Sequence, residues 1–384
     1  MPDLLLTEEE KMLQAAVRDF AERELKPRAR EMDDKEEFSW EVWHGMVGLG
    51  LAGIGIDPAF GGSGGTHRQM VIAIQEISRG DAASAVSLLA HRSLGLQTIY
   101  QFGSEEQKSR YIPGAVQGKK IVAWALTEPG SGSDAAAMQT TATLKNGAYH
   151  LNGSKIFITN GDIADAVVVF AVQDKSLRHR GISAFVVDKG APGFEVHKQH
   201  GKMGMRASNT VEMTFQDTPV PVENRLGEEG LGFRYAMEIL DSSRIVIAAQ
   251  CIGIAQAAFE AAVRYSQQRR SFGKVIAEHQ AIQFMLADMA TDIYASQTMT
   301  LHAATLKDHG LPFLEEASMA KLYASEACFR VCSKALQIHG GYGYFKEADV
   351  ERYFRDSRVT SIYEGTSEIQ RIVIARHILE QFKA

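Results

Sequence analysis

Residues 232–270 read GFRYAMEILDSSRIVIAAQCIGIAQAAFEAAVRYSQQRR. The stretch has no proline and, after its first residue, one glycine, Gly253. Proline ends helices by removing a donor and clashing with the preceding turn, so its absence here predicts one long helix. Two runs of the same kind follow, HQAIQFMLADMATDIYASQTMTLHAATLKD and EEASMAKLYASEACFRVCSKALQIHGG. Three long amphipathic helices with short connections predict an antiparallel bundle over about 226–384.

The bundle does not extend through the chain. Over about 121–225 the pattern changes. TATLKNGAYHLNG sets Asn146-Gly147 between two alternating runs, a strong short-range hairpin signal. AVVVFAV, GISAFVV and TVEMTF are β-rich, and four of the nine prolines fall in this region. It reads as a compact β-domain. The region before it, up to about 120, is helical again, with Thr7 and Glu10 spaced as a capping box. The order helices, strands, helices gives an α+β chain. Its 384 residues exceed what one core usually holds, so two or three packed units are expected.

The net charge of −6 gives no field that would favour nucleic acid. Three cysteines are too few for a disulfide framework and suit a reducing compartment. Cys328 and Cys332 are four apart, but no histidine completes a metal site, so buried small apolar residues are expected. The N-terminus, MPDLLLTEEEKMLQ, matches neither a secretory signal nor a transit peptide. No run of eighteen apolar residues predicts a membrane span.

Two glycine patterns mislead. GLGLAG at Gly48–Gly53 matches a dinucleotide fingerprint, but no strand precedes it; a turn after a helix is the better reading. GGSGG at Gly61–Gly65 lacks the strand–turn–helix setting of a nucleophile elbow and reads as a loop. Other segments each admit two readings. WALTEPGSGSD could bring backbone N–H groups to an anion, or be a plain loop. KIFITNG could lay Phe157 and Thr159 along a flat ligand, or place Phe157 in a β-core. Arg269 could clamp a phosphate or cap a helix, which Phe272-Gly273 would end. QIHGGYGY reads as a glycine-terminated helix end.

In this order the segments resemble one family. LTEPGSGSD, LNGSKIFITNG, GKMGMRASNT, LDSSRIVIAAQ, RRSFGKVIAEHQAIQFMLADM, QIHGGYGY and IYEGTSEIQRIVIARHIL are similar to the motifs of acyl-CoA dehydrogenases along nearly the whole chain. The short-chain, butyryl-CoA type is the nearest in LDSSRI and YEGTSEIQR. The resemblance implies an N-terminal helical domain (1–120), a central β-barrel (121–225) and a C-terminal four-helix bundle (226–384). It implies FAD between barrel and bundle, electron-transfer flavoprotein as electron acceptor, and a homotetramer built as a dimer of dimers. By similarity the flavin site comprises Trp124, Leu126, Thr127, Ser133, Phe157, Ile158 and Thr159, with Thr366 and Glu368 completing it. Arg269, Phe272 and Gln280 would reach a partner subunit's dinucleotide, with Gln337, Gly340 and Gly341 along its adenosine half. Asp241, Arg244, Ser133 and Gly365 would contact the acyl-CoA. A bacterial cytoplasmic enzyme is expected, or a mitochondrial matrix one if processed.

Glu364 matches the family's base. It would take the α-proton of an acyl thioester while a β-hydride leaves for the flavin, giving a trans-2-enoyl product. Apolar neighbours, Ile362 and Tyr363, would desolvate the carboxylate and raise its pKa, and Gly365 would let the backbone approach the ligand. Some relatives carry the base on the long helix, where this chain has Ser243; that weakens an isovaleryl reading, and a carboxylate at Glu364 weakens a flavin monooxygenase reading, since those relatives need no base there. Medium-chain and short branched-chain substrates, an acyl-CoA oxidase, and a non-catalytic assembly protein are the alternatives. Arg92, in AHRSL, stands where the family often has a neutral residue; an outward, solvated side chain is expected. The arginine of glutaryl-CoA dehydrogenases would match Ala85 instead.

Overall fold

The computed structural model describes residues 6–383. The first unit is helical. Helices α1 (Glu8–Phe20) and α2 (Lys26–Lys35) join through a wide π turn at Ala21–Leu25, and α3 (Trp40–Gly48) follows. Then come α4 (His67–Gly80), α5 (Ala82–Leu89), a second π turn at Ala90–Leu96, α6 (Gln97–Phe102) and α7 (Glu105–Val116). Caps set the starts. Thr7 with Glu10, Thr66 with Gln69 and Ser104 with Gln107 each form the reciprocal box that satisfies two orphan N–H groups. GLGLAG is indeed the turn after α3, and the Ser63 hydroxyl of GGSGG donates to the Gly50 carbonyl.

The middle unit is a single eight-stranded sheet. Its strands are β1 (Val122–Ala125), β2 (Thr141–Lys145), β3 (Ala148–Thr159), β4 (Ala166–Val172), β5 (Ile182–Asp188), β6 (Phe194–Lys198), β7 (Thr210–Pro221) and β8 (Arg225–Leu226). The hydrogen-bonded path runs β6-β7-β3-β2-β4-β5-β8, with β1 parallel to β4; it does not close on itself among the described residues. Asn146-Gly147 forms the expected tight turn, with Lys145 opposite Ala148 and both turn residues at positive φ. The strands β4 and β5 are buried almost end to end, as both of their faces are covered.

The last unit is the bundle: α8 (Gly232–Gln268), α9 (Gln280–Asp308), α10 (Leu314–His339) and α12 (Ser367–Gln381), with the short α11 (Val350–Ser357) between the last two. Residues 269–275 carry a tiny hairpin of β9 (Arg270–Ser271) and β10 (Lys274–Val275). Phe272-Gly273 therefore does not end α8; it forms the hairpin turn, at φ 50° and 81°. Length and apolarity alone would let α8 cross a bilayer, but its most apolar window is 78% buried inside the fold. It packs on α10, α9 and α4 as a core helix. A Cβ on Gly253 would meet the Gln75 carbonyl at 2.2 Å, so the glycine is what lets α8 and α4 approach this closely. Cys251, Cys328 and Cys332 are buried and free, as expected.

Candidate active site

The turn Ile362–Thr366 stands between α11 and α12. Thr366 caps α12, its hydroxyl accepting from the Ile369 N–H at 3.3 Å. Two residues earlier the backbone of Glu364 is left-handed, with φ 50°, and Gly365 follows at φ 93°. A non-glycine residue there is strained, and such strain clusters at functional sites. The strain is held in place by two donors to the Gly365 carbonyl: Lys321 Nζ at 2.7 Å and Gln370 Nε2 at 3.0 Å. Tyr363 is anchored as well, donating its hydroxyl to Gln250 Oε1. Gln250 in turn donates to the Ala82 carbonyl at 3.0 Å and lies 4.0 Å from the Met205 sulfur. One α8 side chain thus ties the turn to both other units.

Glu364 Oε2 is buried and has no hydrogen-bond partner. Burial pushes the Glu364 carboxyl up to about 7, against the pull of the Ser243 hydroxyl, Lys321 and Arg244. Ile362 does not provide that shielding, since its side chain is 51% exposed. Lys321 is fully buried, and burial lowers its ammonium to about 8. Arg244 is 6% exposed, paired with Asp241 at 3.0 Å and donating to Ser318 Oγ at 3.1 Å. Its Nε is buried without a partner. Burial raises the Asp241 carboxyl, with Arg244 opposing. The structure therefore brings Glu364, Gly365, Asp241 and Arg244 together, adding Lys321 and Ser243.

A second group forms where β1 leads into the 126–134 loop. Lys155 on β3 is fully buried; its Nζ donates to the Leu126 carbonyl at 3.0 Å and to Glu128 Oε1 at 2.8 Å. Glu128 also accepts from the Gln139 N–H at 2.6 Å and the Thr140 N–H at 3.0 Å. The Ile156 N–H donates to the Thr127 carbonyl at 2.9 Å. The loop is thereby clamped to β3. At that clamp β3 bulges between Lys155 and Ile158, and Phe157 takes φ 60°. The bulge turns Phe157 out, 66% exposed, so it is not a β-core residue; Ile158 is buried and Thr159 half-buried. Leu126 is buried, Ser133 exposed, and the Trp124 indole N–H is buried with no acceptor. An exposed aromatic on β3 and an orphaned indole donor on β1 suit a flat ring with polar edges.

The remaining predicted residues lie at the surface. Arg269, Phe272, Gln280, Gln337, Gly340, Gly341 and Glu368 are exposed, Phe272 by 94%. Arg269 stacks its guanidinium on Tyr342, 5.4 Å from the ring centre, which brings it beside the Gly340–Gly341 turn. No hydrogen bond or ion pair links this strip to the Glu364 cluster among the described residues.

Arg92 differs from expectation. It is 5% exposed, with Nε donating to the Ile54 carbonyl and Nη1 to Gln97 Oε1, both at 2.7 Å. The π turn at Ala90–Leu96 sets it inward, against the 54–67 loop.

Three family models cover the chain: acyl-CoA dehydrogenase N-terminal domain at 7–119, middle domain at 123–218 and C-terminal domain at 230–379. An acyl-CoA dehydrogenase of Bacillus subtilis is 49% identical over 97% of this chain and 99% of its own. A short-chain-specific acyl-CoA dehydrogenase of Clostridium acetobutylicum is 45% identical over 98% and 99%. The structure of butyryl-CoA dehydrogenase from Megasphaera elsdenii superposes with a TM-score of 0.95 at 44% identity, covering 97% of this chain and 99% of that one.

Proposed function

Since the chain belongs to the acyl-CoA dehydrogenase family of oxidoreductases, we propose that it desaturates a short-chain fatty acyl-CoA to the trans-2-enoyl-CoA, with Glu364 as the base. The observation that carries this reading is the buried, unpartnered Glu364 oxygen with its carboxyl raised to about 7. A carboxylate is a weak base in water. Poised near neutrality and with one oxygen free of hydrogen bonds, it can take a proton from carbon.

Other groups of the turn prepare the thioester. The Glu364 N–H donates to no described acceptor, and the left-handed turn leaves it free to face a ligand. Aimed at the thioester oxygen, it would stabilise negative charge as the α-proton leaves. Gly365 keeps side-chain atoms out of that approach. Asp241 and Arg244 suit the acyl-CoA, and the orphaned Arg244 Nε is a donor in reserve.

FAD would supply the hydride acceptor and pass electrons on to electron-transfer flavoprotein. Trp124, Leu126, Thr127, Ser133, Phe157, Ile158 and Thr159 would hold its ring, with Thr366 and Glu368 near its linker. The surface strip around Arg269, Phe272, Gln280 and Gln337 would meet the dinucleotide of a neighbouring subunit, in a homotetramer. The test is an anaerobic titration of the yellow protein with butyryl-, octanoyl- and isovaleryl-CoA. Bleaching of the flavin by butyryl-CoA first is expected; a yellow protein that none of the three bleaches contradicts the reading.

A further inference from the structure

Gln250 stands in the middle of α8 and is fully buried. Ser243, about two turns earlier on the same helix face, stands against Glu364. The Gln250 amide is committed at both ends. Oε1 accepts from the Tyr363 hydroxyl, and Nε2 donates to the Ala82 carbonyl at 3.0 Å. A carbonyl can only accept, so Nε2 has to face Ala82 and Oε1 has to face the phenol. Tyr363 stays a neutral donor, since burial raises its hydroxyl well above the ordinary tyrosine range.

The surroundings of this amide are fixed in turn. Ala82 opens α5, and the cap of that helix, Asp81, meets Arg352 of α11 at 3.2 Å. Met205, at φ 51°, brings its sulfur to 4.0 Å from Gln250 Nε2. The Met205 N–H donates to Asp356 at 2.6 Å, and its carbonyl accepts from Lys202 at 2.8 Å. Gly204 lies on the α11 backbone, where a Cβ would stand 2.6 Å from the Arg355 carbonyl. Gln250 is thus backed by groups that are themselves tied down.

A left-handed residue other than glycine is kept in place by its flanks. After Glu364, Lys321 and Gln370 both grip the Gly365 carbonyl. Before Glu364, the Tyr363 N–H reaches only Val359 in its own turn. The Tyr363 hydroxyl is the polar tie from that flank to the other units. We propose that Gln250 is a positioning residue for the base: by holding the Tyr363 hydroxyl it fixes the direction in which the Glu364 carboxylate meets the substrate α-carbon. The proposal rests on the acyl-CoA reading above.

The experiment compares holoprotein with Gln250→Met, Tyr363→Phe and the double variant. Each is mixed anaerobically with whichever of butyryl-, octanoyl- and isovaleryl-CoA bleaches the native chain fastest. The limiting rate of bleaching and the Kd are measured, and each protein is melted. Gln250→Met leaves the phenol without an acceptor, and Tyr363→Phe leaves Oε1 without a donor, so both single variants lower Tm. The double variant removes both partners and recovers part of that loss. The limiting rate should fall about tenfold or more in all three, with Kd within about twofold of native, because a small misplacement of a reacting group acts on the chemical step. A rate that returns with Tm in the double variant would mean that the pair only stabilises the fold, and overturns the proposal. A Kd that moves while the rate holds overturns it too. Should Gln250→Met not fold, Tyr363→Phe, which deletes one oxygen, gives the same comparison of rate with Kd. If no thioester bleaches the native chain, the acyl-CoA reading fails and the proposal with it; a native chain that bleaches beside unaffected variants sinks the positioning role alone.

Discussion

Lys321 is fully buried, and its Nζ reaches the carbonyl of the residue after Glu364. It does two things there. It holds the left-handed turn, and its charge favours the ionised form of Glu364. Without it the carboxyl should rise further. In Lys321→Met the acid limb of the kcat/KM profile should move up by roughly one pH unit, about a tenfold loss at the foot of the limb. An unmoved limb would show that Lys321 acts only as a structural donor. The sequence held a signal for this residue. Lys321 stands at helical spacing among Ala317, Ala320, Ala324 and Cys328, a charge on an apolar face. Glu364 itself was legible because its motif is distinctive. Arg92 was not, because a π turn rotates the side chains away from the directions an α-helical period predicts.

At the scale of elements, the loop that would face the flavin depends on Lys155 and Glu128. Their pair is buried, 2.8 Å long, and Glu128 takes two further backbone donors. Lys155→Met leaves a buried carboxylate without its cation. It should cost about 3–5 kcal/mol. It should also loosen flavin binding, since Thr127 and Leu126 would lose their anchor to β3. Adding Glu128→Gln should recover part of the stability. Measured melting curves for the single and double variants check this; equal losses in both would mean the pair contributes little. Helix and strand identity along the chain could be read from period and capping. The bulge in β3 could not, because alternation in KIFITNG looks the same with or without an extra residue. That residue is what turns Phe157 outward.

For the whole molecule, the order of helical, sheet and helical units was readable from the pattern shifts alone. What binds the units was hidden, since it depends on residues far apart in sequence. Arg352, 1% exposed, meets Asp81 at 3.2 Å, and Asp356 accepts from the Met205 N–H at 2.6 Å. Gln250 makes the same kind of join beneath Tyr363. These contacts hold the Glu364 turn against all three units, and the account stands on that turn. The measurement that tests it most directly is Glu364→Gln, assayed with butyryl-CoA under anaerobic conditions and melted at two pH values. Glu364 keeps its proton to about pH 7 when folded but only to 4.5 in its ordinary state. Its ionisation therefore penalises the fold increasingly above pH 4.5, and fully above pH 7. The variant should retain its flavin, fail to bleach, and melt higher than the native chain at pH 8 but not at pH 5. Undiminished bleaching would contradict the assignment of the base.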